Sequence, residues 1–179
     1  MWLKMENKKN KISKEMIMLI AIVIILIIID QGMKFWIHTA GEIQIIQGVL
    51  NFKVSQNTSA AYGIGSNSTV MYVLTNIVIL GVIIKFITTQ NQFVDTKLKI
   101  FLSLILAGGI SNVIDRVARG YVTEFIDFKQ VINLPILNIA DICIIIGWVA
   151  IAAIFASFTV REWRSKKEEK VLKDEDKKE

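Results

Sequence analysis

The sequence predicts a membrane α-helical protein, with four transmembrane helices and a small extracytoplasmic β-rich element between helices 1 and 2. Hydrophobic residues make up 53% of its 179 residues, and it contains a single proline. Four apolar stretches reach or approach the length of about 20 residues that crosses a bilayer as a helix. They are residues 16–37, 69–87, 100–117 and 139–160, which form one predicted domain over residues 1–160, followed by a charged cytoplasmic tail at 161–179.

The first apolar stretch follows several lysines, as the apolar core of a secretory signal peptide does. No small-residue cleavage site comes after it, and the helical pattern instead continues through "DQGMKFWI" (Asp30–Ile37). We therefore interpret this stretch as the first spanning helix.

Lysine and arginine in the connecting segments predict the orientation of the helices. They are concentrated before residue 16, between helices 2 and 3, and after Val160, whereas the other two connections carry few. Both termini and the middle connection are therefore predicted to be cytoplasmic. The net charge of +5 does not indicate a nucleic-acid partner, because the tail combines eight bases with seven acids.

The two outer connections carry the non-helical patterns. "EIQIIQGVLNFKVSQN" (Glu42–Asn57) alternates in part between apolar and polar residues, which predicts short strands. The second connection, at about residues 118–138, contains "YVTEFIDF" (Tyr121–Phe128), in which Glu124 and Asp127 stand among aromatic and β-branched residues. This segment is apolar enough to lie against the membrane.

Polar residues of separate segments are predicted to lie at one depth. Asp30 follows Met16 by 14 residues, roughly 21 Å at about 1.5 Å per residue. Lys34 comes one turn later on the same face, where it can pair with Asp30. Asn138 and Asp141 share one face at the outer end of helix 4. The residues that this reasoning brings together near the outer membrane–water boundary are Asp30, Lys34, Asn112, Asp115, Arg116, Glu124 and Asp141.

Two interpretations of this convergence stay open. Charged residues in spanning segments are costly and usually mark a functional interior. Helix ends are also naturally polar, however, so acids and bases there can simply satisfy one another. By that reasoning Asp30 and Lys34 form a structural pair, while His38 is an exposed loop residue.

The residue types limit the chemistry that such a site can perform. The single histidine lies outside the cluster and Cys143 is the only cysteine, which disfavours a Ser–His pair and a structural zinc site. Gly108 and Gly109 lie inside a helix, where they allow close packing rather than phosphate binding. Two carboxyls that share a proton can cleave an amide without metal or cofactor. Asp141 is one candidate, with Glu124 or Asp127 as its partner.

Four segments together resemble the lipoprotein signal peptidase (signal peptidase II) family. They are "IIIDQGMK", "QNTSAAYG", "GGISNVIDRVARGYVTEFIDF" and "LNIADICIIIG", and the resemblance covers about residues 27–147. It implies a four-helix membrane aspartyl protease that cleaves prolipoproteins before a diacylglyceryl-modified cysteine, on the outer side of the bacterial cytoplasmic membrane.

The resemblance also assigns roles by position. Asp141 matches one catalytic aspartate, and the register of the family's "VVDF" segment falls on Val122–Phe125, so that Glu124 takes the place of the second. The family's segment "RNxGAAFG" has Gln56 and Ser59 here in place of its arginine and first glycine. The remaining matches are the substrate-binding positions Asn57, Asn112, Arg116 and Asn138, and the supporting residues Asp30, Lys34 and Asp115.

Three readings of the function follow. In the first, the chain is an endopeptidase whose partners are lipid-modified prolipoproteins and membrane lipids. In the second, it is a homologue with altered or no activity that binds lipidated precursors, because the extra methylene of Glu124 moves the carboxyl by about 1 Å, and such a shift costs roughly a hundredfold in rate. An ion or proton carrier is disfavoured, since acids at a single depth make no relay across the membrane.

Overall fold

The chain folds into four long helices and one small sheet. A computed structural model describes residues 13–58, 68–89, 94–128 and 134–175. Within them the helices are α1 (Lys14–Ala40), α2 (Ser68–Thr89), α3 (Thr96–Arg119) and α4 (Ile139–Glu175), and all four are long and apolar enough to cross a membrane. The strands are β1 (Ile43–Ile46), β2 (Leu50–Asn57) and β3 (Val122–Asp127). The predicted fold class is therefore confirmed.

Helix ends differ from the predicted bounds for identifiable reasons. Ser13 accepts a hydrogen bond from the amide of Met16 and so caps the start of α1. The helix continues past Ile37 to Ala40, where Gly41 adopts a φ of 75° and donates its amide to the carbonyl of Ile37. α4 continues past Val160 to Glu175, so the first part of the charged tail is helical.

α3 is the central helix of the bundle. In its most apolar window 56% of residues are buried, against 11% for α1, 17% for α2 and 22% for α4. The outward faces of these three helices are rich in exposed isoleucine, valine and phenylalanine, as lipid-facing surfaces are. Leu102 and Leu106 of α3 form a buried apolar cluster with Leu19 of α1, Leu80 of α2 and Ile151 of α4.

Glycines set the spacing between α3 and α4. A Cβ atom at Gly108 would collide with the carbonyl oxygen of Ala140 and lie 2.7 Å from Cγ1 of Ile144. A Cβ at Gly147 would lie 2.8 Å from the carbonyl oxygen of Phe101. The predicted role of Gly108 in close helix packing is thereby confirmed, and this packing fixes the first turn of α4 against α3.

Replacing Gly108 by alanine should therefore destabilise the protein. We expect Gly108→Ala to lower the free energy of unfolding by about 1–3 kcal/mol, because the backbone of α4 must move to admit the methyl group. Gly81→Ala is the matched control, since a Cβ there meets nothing within 4 Å. Thermal unfolding in detergent measures both, and equal melting temperatures for the two variants would contradict this account of the helix contact.

The sheet joins the two outer connections. Its order is β1-β2-β3, with antiparallel neighbours, and Ser55 lies opposite Glu124. Its apolar face covers the end of α1, where Ile37, Phe125 and Ile126 form a buried cluster. The strands predicted between helices 1 and 2 are present, while the pairing of β2 with a strand that precedes α4 was not predicted.

Two side chains and the backbone of Leu137 satisfy the outer edge of β3. The Thr123 amide donates to Asp115 Oδ2 at 3.1 Å, and the Thr123 carbonyl accepts from Asn138 Nδ2 at 3.1 Å. The Phe125 amide donates to the carbonyl of Leu137 at 2.8 Å. The edge is thereby closed, and β3 is tied to the ends of α3 and α4.

Candidate active site

A fully buried ion cluster underlies the site. Lys34 Nζ lies 2.6 Å from Asp30 Oδ2, as the i, i+4 spacing predicts, and 2.9 Å from Asp115 Oδ2. It also donates to Asn112 Oδ1 at 3.1 Å, so all three of its N–H groups have acceptors. These contacts join α1 to α3.

Both aspartates of the cluster also bind backbone. Asp30 Oδ1 accepts the Ala140 amide at 2.9 Å, which caps the first turn of α4. Asp115 accepts the Thr123 amide at the start of β3 and pairs with Arg119 Nη1 at 2.6 Å. The two carboxylates thus hold α4 and β3 in place, and Arg119 is part of this network.

Removing the cation from this cluster should strongly lower the free energy of unfolding. Lys34→Met leaves two buried carboxylates without their counter-charge, and breaking a buried pair in this way costs about 3–5 kcal/mol. Lys53→Met is the matched control, because Lys53 is exposed on β2. Denaturant titration in detergent measures both free energies of unfolding, and a cost for Lys34→Met no larger than that for the control would contradict the assignment.

Asp141 is held by amide groups. Its Oδ1 accepts from Asn112 Nδ2 at 2.8 Å, and its Oδ2 accepts the Asn138 amide at 3.1 Å. Asn138 Oδ1 in return accepts the Asp141 amide at 2.8 Å, which makes a reciprocal cap at the start of α4. The partial positive charge of the helix N-terminus and these donors favour the ionised form of Asp141.

Asn112 connects Asp141 to the ion cluster. Its Nδ2 donates to Asp141, while its Oδ1 accepts from Lys34 and, at 3.1 Å, from Asn138 Nδ2. The ammonium of Lys34 therefore fixes which way the Asn112 amide faces. Lys34 thus orients the group that binds Asp141 without touching that carboxylate itself.

Glu124 projects from β3 into the same site. Its Oε1 accepts from Asn57 Nδ2 of β2 at 2.6 Å. Partial burial raises the pKa of Glu124 above its ordinary value, and the nearby charge of Asp141 raises it further, while the Asn57 hydrogen bond, Arg116 and Lys34 oppose the shift. Asp127 lies three residues further along β3, opposite Asn51. Of the two acids in this strand, Glu124 is the one beside Asp141.

The raised pKa of Glu124 has a consequence for stability. Because the folded state binds the proton more tightly than the unfolded state, the stabilisation is complete below the ordinary glutamate pKa of about 4.3 and is lost as pH rises through the higher folded value. The melting temperature of Glu124→Gln should therefore rise relative to that of the unaltered protein as pH increases towards neutrality. Unfolding scans across this range measure the difference, and a pH-independent difference would contradict the prediction.

Arg116 is buried beside the site, and among the described residues no carboxylate lies within ion-pairing distance of it. Its guanidinium stacks over the Tyr72 ring, 3.7 Å from the ring centre, and donates to the Asn112 carbonyl at 3.4 Å. The side chain is nevertheless close enough to Asp141 and Glu124 to feel their charge. It can therefore offer donors to a substrate carbonyl. Tyr72 was not predicted, since nothing local in α2 marks it.

Some residues around the site differ from their predicted roles or were not predicted. His38 is exposed as expected, but the expectation of a loop is wrong, because it lies in the last turn of α1. Gln31 and Ser111 were not singled out, yet Gln31 Nε2 donates to Ser111 Oγ at 2.9 Å and to Asp115 Oδ1 at 2.9 Å. Ser59 and the rest of "SAAYG" lie outside the described residues.

Among the described residues, no group of three or more His, Cys, Asp or Glu side chains could hold a metal ion.

Comparisons with known proteins agree with this architecture. The family model for signal peptidase (SPase) II matches residues 22–158. The chain is 34% identical over 140 residues to a lipoprotein signal peptidase of Clostridium novyi (strain NT). The alignment covers 74% of this chain and 93% of that protein. It is 38% identical over 130 residues to one of Shouchella clausii (strain KSM-K16), covering 70% and 84%. A solved bacterial membrane enzyme superposes with a TM-score of 0.72 at 31% identity, covering 79% of this chain and 89% of that one.

Proposed function

Because the chain belongs to the signal peptidase II family, we propose that it removes signal peptides from diacylglyceryl-modified prolipoproteins by cleaving before the lipidated cysteine. Asp141 and Glu124 are the catalytic pair in this proposal. The observation that carries it is that these two carboxyls, at the start of α4 and on β3, lie close enough for each to feel the other's charge, with Arg116 close to both. Among the described residues, neutral amide donors rather than cations contact each carboxyl directly, so neither is neutralised by an ion pair.

The environments of the two carboxyls support different starting states. Asp141 accepts two N–H donors at a helix N-terminus, which favours the carboxylate. Glu124 is half-buried, which raises its pKa, and its Oε1 accepts the Asn57 amide away from any helix N-terminus, so we assign the proton of the pair to Glu124. Asp141 is therefore the base that takes a proton from water, and Glu124 is the acid that gives its proton to the scissile carbonyl oxygen.

The cycle closes without another reactant. Water adds to the carbonyl carbon, and its proton moves to Asp141 as Glu124 protonates the carbonyl oxygen, which gives a neutral gem-diol. The C–N bond then breaks as Asp141 returns its proton to the leaving nitrogen, and Glu124 recovers a proton from one hydroxyl of the diol. Both carboxyls end in their starting states. Arg116 donates to a neighbouring substrate carbonyl and so holds the peptide in line.

The position of the site supports a lipid-anchored substrate. The polar residues lie where α1 and α3 end and α4 begins, under the three-stranded sheet. The lysine distribution supports cytoplasmic termini, which would put this end of the bundle at the outer face of the bacterial cytoplasmic membrane. A substrate with acyl chains in the bilayer would present its peptide at that level.

The second candidate is a binding protein without turnover. The observation that favours it is the methylene by which Glu124 exceeds an aspartate. Matched precursors separate the two functions: a diacylglyceryl-modified prolipoprotein and the same protein with its acceptor cysteine replaced by serine, which carries no lipid. We expect the purified chain to shorten only the lipidated form. Retention of the lipidated form without shortening would support the binding protein, and cleavage of both forms at equal rates would contradict the proposed substrate class.

A further inference from the structure

Thr123, the residue before Glu124, is held by contacts with three separate segments of the chain. It is fully buried, and all of its polar groups are bound. Its amide donates to Asp115 of α3, and its carbonyl accepts from Asn138 before α4, each at 3.1 Å. Its hydroxyl Oγ1 lies 3.2 Å from Nε2 of His38 in the last turn of α1.

These contacts divide into two kinds. Asp115 and Asn138 belong to the network that also builds the rest of the site, and they bind only the backbone of Thr123. His38 binds the side chain, and among the described residues it makes no hydrogen bond to the cluster of carboxylates and amides. It is also the only histidine of the chain. The contact between His38 and Thr123 therefore adds a link from α1 to the strand that carries Glu124.

From this geometry we infer that His38 and Thr123 act as a positioning pair, which sets the place of the Glu124 carboxyl by fixing the strand immediately before it. The inference rests on the proposed function, since it concerns the catalytic placement of Glu124. A glutamate has one more rotatable bond than an aspartate, so its carboxyl reaches a defined place only when backbone and tip are both held. Thr123 holds the backbone, and Asn57 holds the tip at 2.6 Å.

If Thr123 and His38 only filled space, variants that preserve the packing would keep their activity. A buried threonine can be kept only for its methyl group and volume, and valine preserves both. His38 is exposed, so leucine there leaves the helix core unchanged. If the two side chains act together through their contact, loss of either one removes the same effect, and loss of both removes nothing more.

A double-mutant cycle on the purified full-length chain tests the pair. The variants His38→Leu, Thr123→Val and their combination are assayed for kcat and KM with a diacylglyceryl-modified prolipoprotein. We expect each single variant to lower kcat by about tenfold with KM unchanged, since sub-ångström misplacement costs less than the roughly hundredfold of a full ångström. The combined variant should lose no more than the slower single variant. His38→Gln should recover most of the activity, because its side-chain amide can still meet Thr123 Oγ1.

Two further variants test whether any loss of activity comes from the contact between His38 and Thr123. Thr39→Val is the matched control, because Thr39 is exposed and its hydroxyl donates only to Trp36 of its own helix at 2.8 Å. Thr123→Ser keeps the hydroxyl and should keep kcat, which decides the matter if Thr123→Val does not fold. The signal of the single imidazole in a 15N spectrum should shift in Thr123→Val and stay in Thr123→Ser.

The outcomes separate this inference from the proposed function. Losses that multiply in the combined variant, or an unchanged imidazole signal in Thr123→Val, would overturn the positioning pair while leaving the peptidase intact. A rise in KM at constant kcat would likewise overturn it. Absence of cleavage by the unaltered chain would contradict the proposed function and the positioning role with it.

Discussion

Asp141→Asn should abolish cleavage of a lipidated prolipoprotein, with a fall in kcat of roughly a thousandfold or more. General acid–base groups contribute about 10²–10⁴-fold, and an amide cannot take the proton from water. Asparagine has the same size as aspartate, and its oxygen can still accept from Asn112 Nδ2, but its NH2 group cannot accept the Asn138 amide as Oδ2 of Asp141 does. Losing that hydrogen bond should lower the free energy of unfolding by about 1–3 kcal/mol, so the variant stays folded and the loss of cleavage is one of chemistry.

The control for this prediction is Asp127, the other acidic residue of β3. Asp127→Asn makes the same chemical change three residues from Glu124, opposite Asn51 rather than Ser55. It should keep most of the activity. Cleavage that survives in Asp141→Asn, or that is lost equally in Asp127→Asn, would contradict the assignment of Asp141 as the base.

Glu124 should be as necessary as Asp141, and glutamate should be the better acid in this site. Glu124→Gln retains the length of the side chain but has no proton to give, so we expect a comparable loss of kcat. Glu124→Asp retains the acid but withdraws it by one methylene and gives up the 2.6 Å contact with Asn57. We expect it to lower kcat by roughly tenfold to a hundredfold.

The direction of the Glu124→Asp effect distinguishes two accounts of this chain. A loss means that β2, β3 and their anchors have adapted to the longer side chain. A gain in kcat would mean that the pocket is intact but that glutamate disables it, as the reading with altered activity holds. The same single-turnover assay measures both variants beside the unaltered chain.

The helices and the main ion pair were predictable because their signals are local. An apolar stretch of sufficient length fixes a spanning helix, and the four-residue spacing of Asp30 and Lys34 fixes their shared face. The three-residue spacing of Asn138 and Asp141 likewise predicts that they share one face of α4, and the structure shows a reciprocal cap there.

The remaining parts of the site depend on contacts between distant segments. β2 meets β3 across 67 residues from Asn57 to Glu124, and no local pattern specifies which strand pairs with which. Tyr72 lies beneath Arg116 only because α2 packs on α3. The end of α1, by contrast, has a local signal that the prediction missed. Gly41 is a residue type typical of helix C-termini, and ending the helix there places His38 inside it.

The most direct test is to incubate the purified unaltered chain in detergent with a diacylglyceryl-modified prolipoprotein and to determine the mass of the product. We expect a mature protein that begins at the lipidated cysteine, formed by the unaltered chain and missing with Asp141→Asn. A precursor that stays intact with the unaltered chain, while a signal peptidase II relative cleaves it under the same conditions, would contradict the claim that Asp141 and Glu124 form a working catalytic pair.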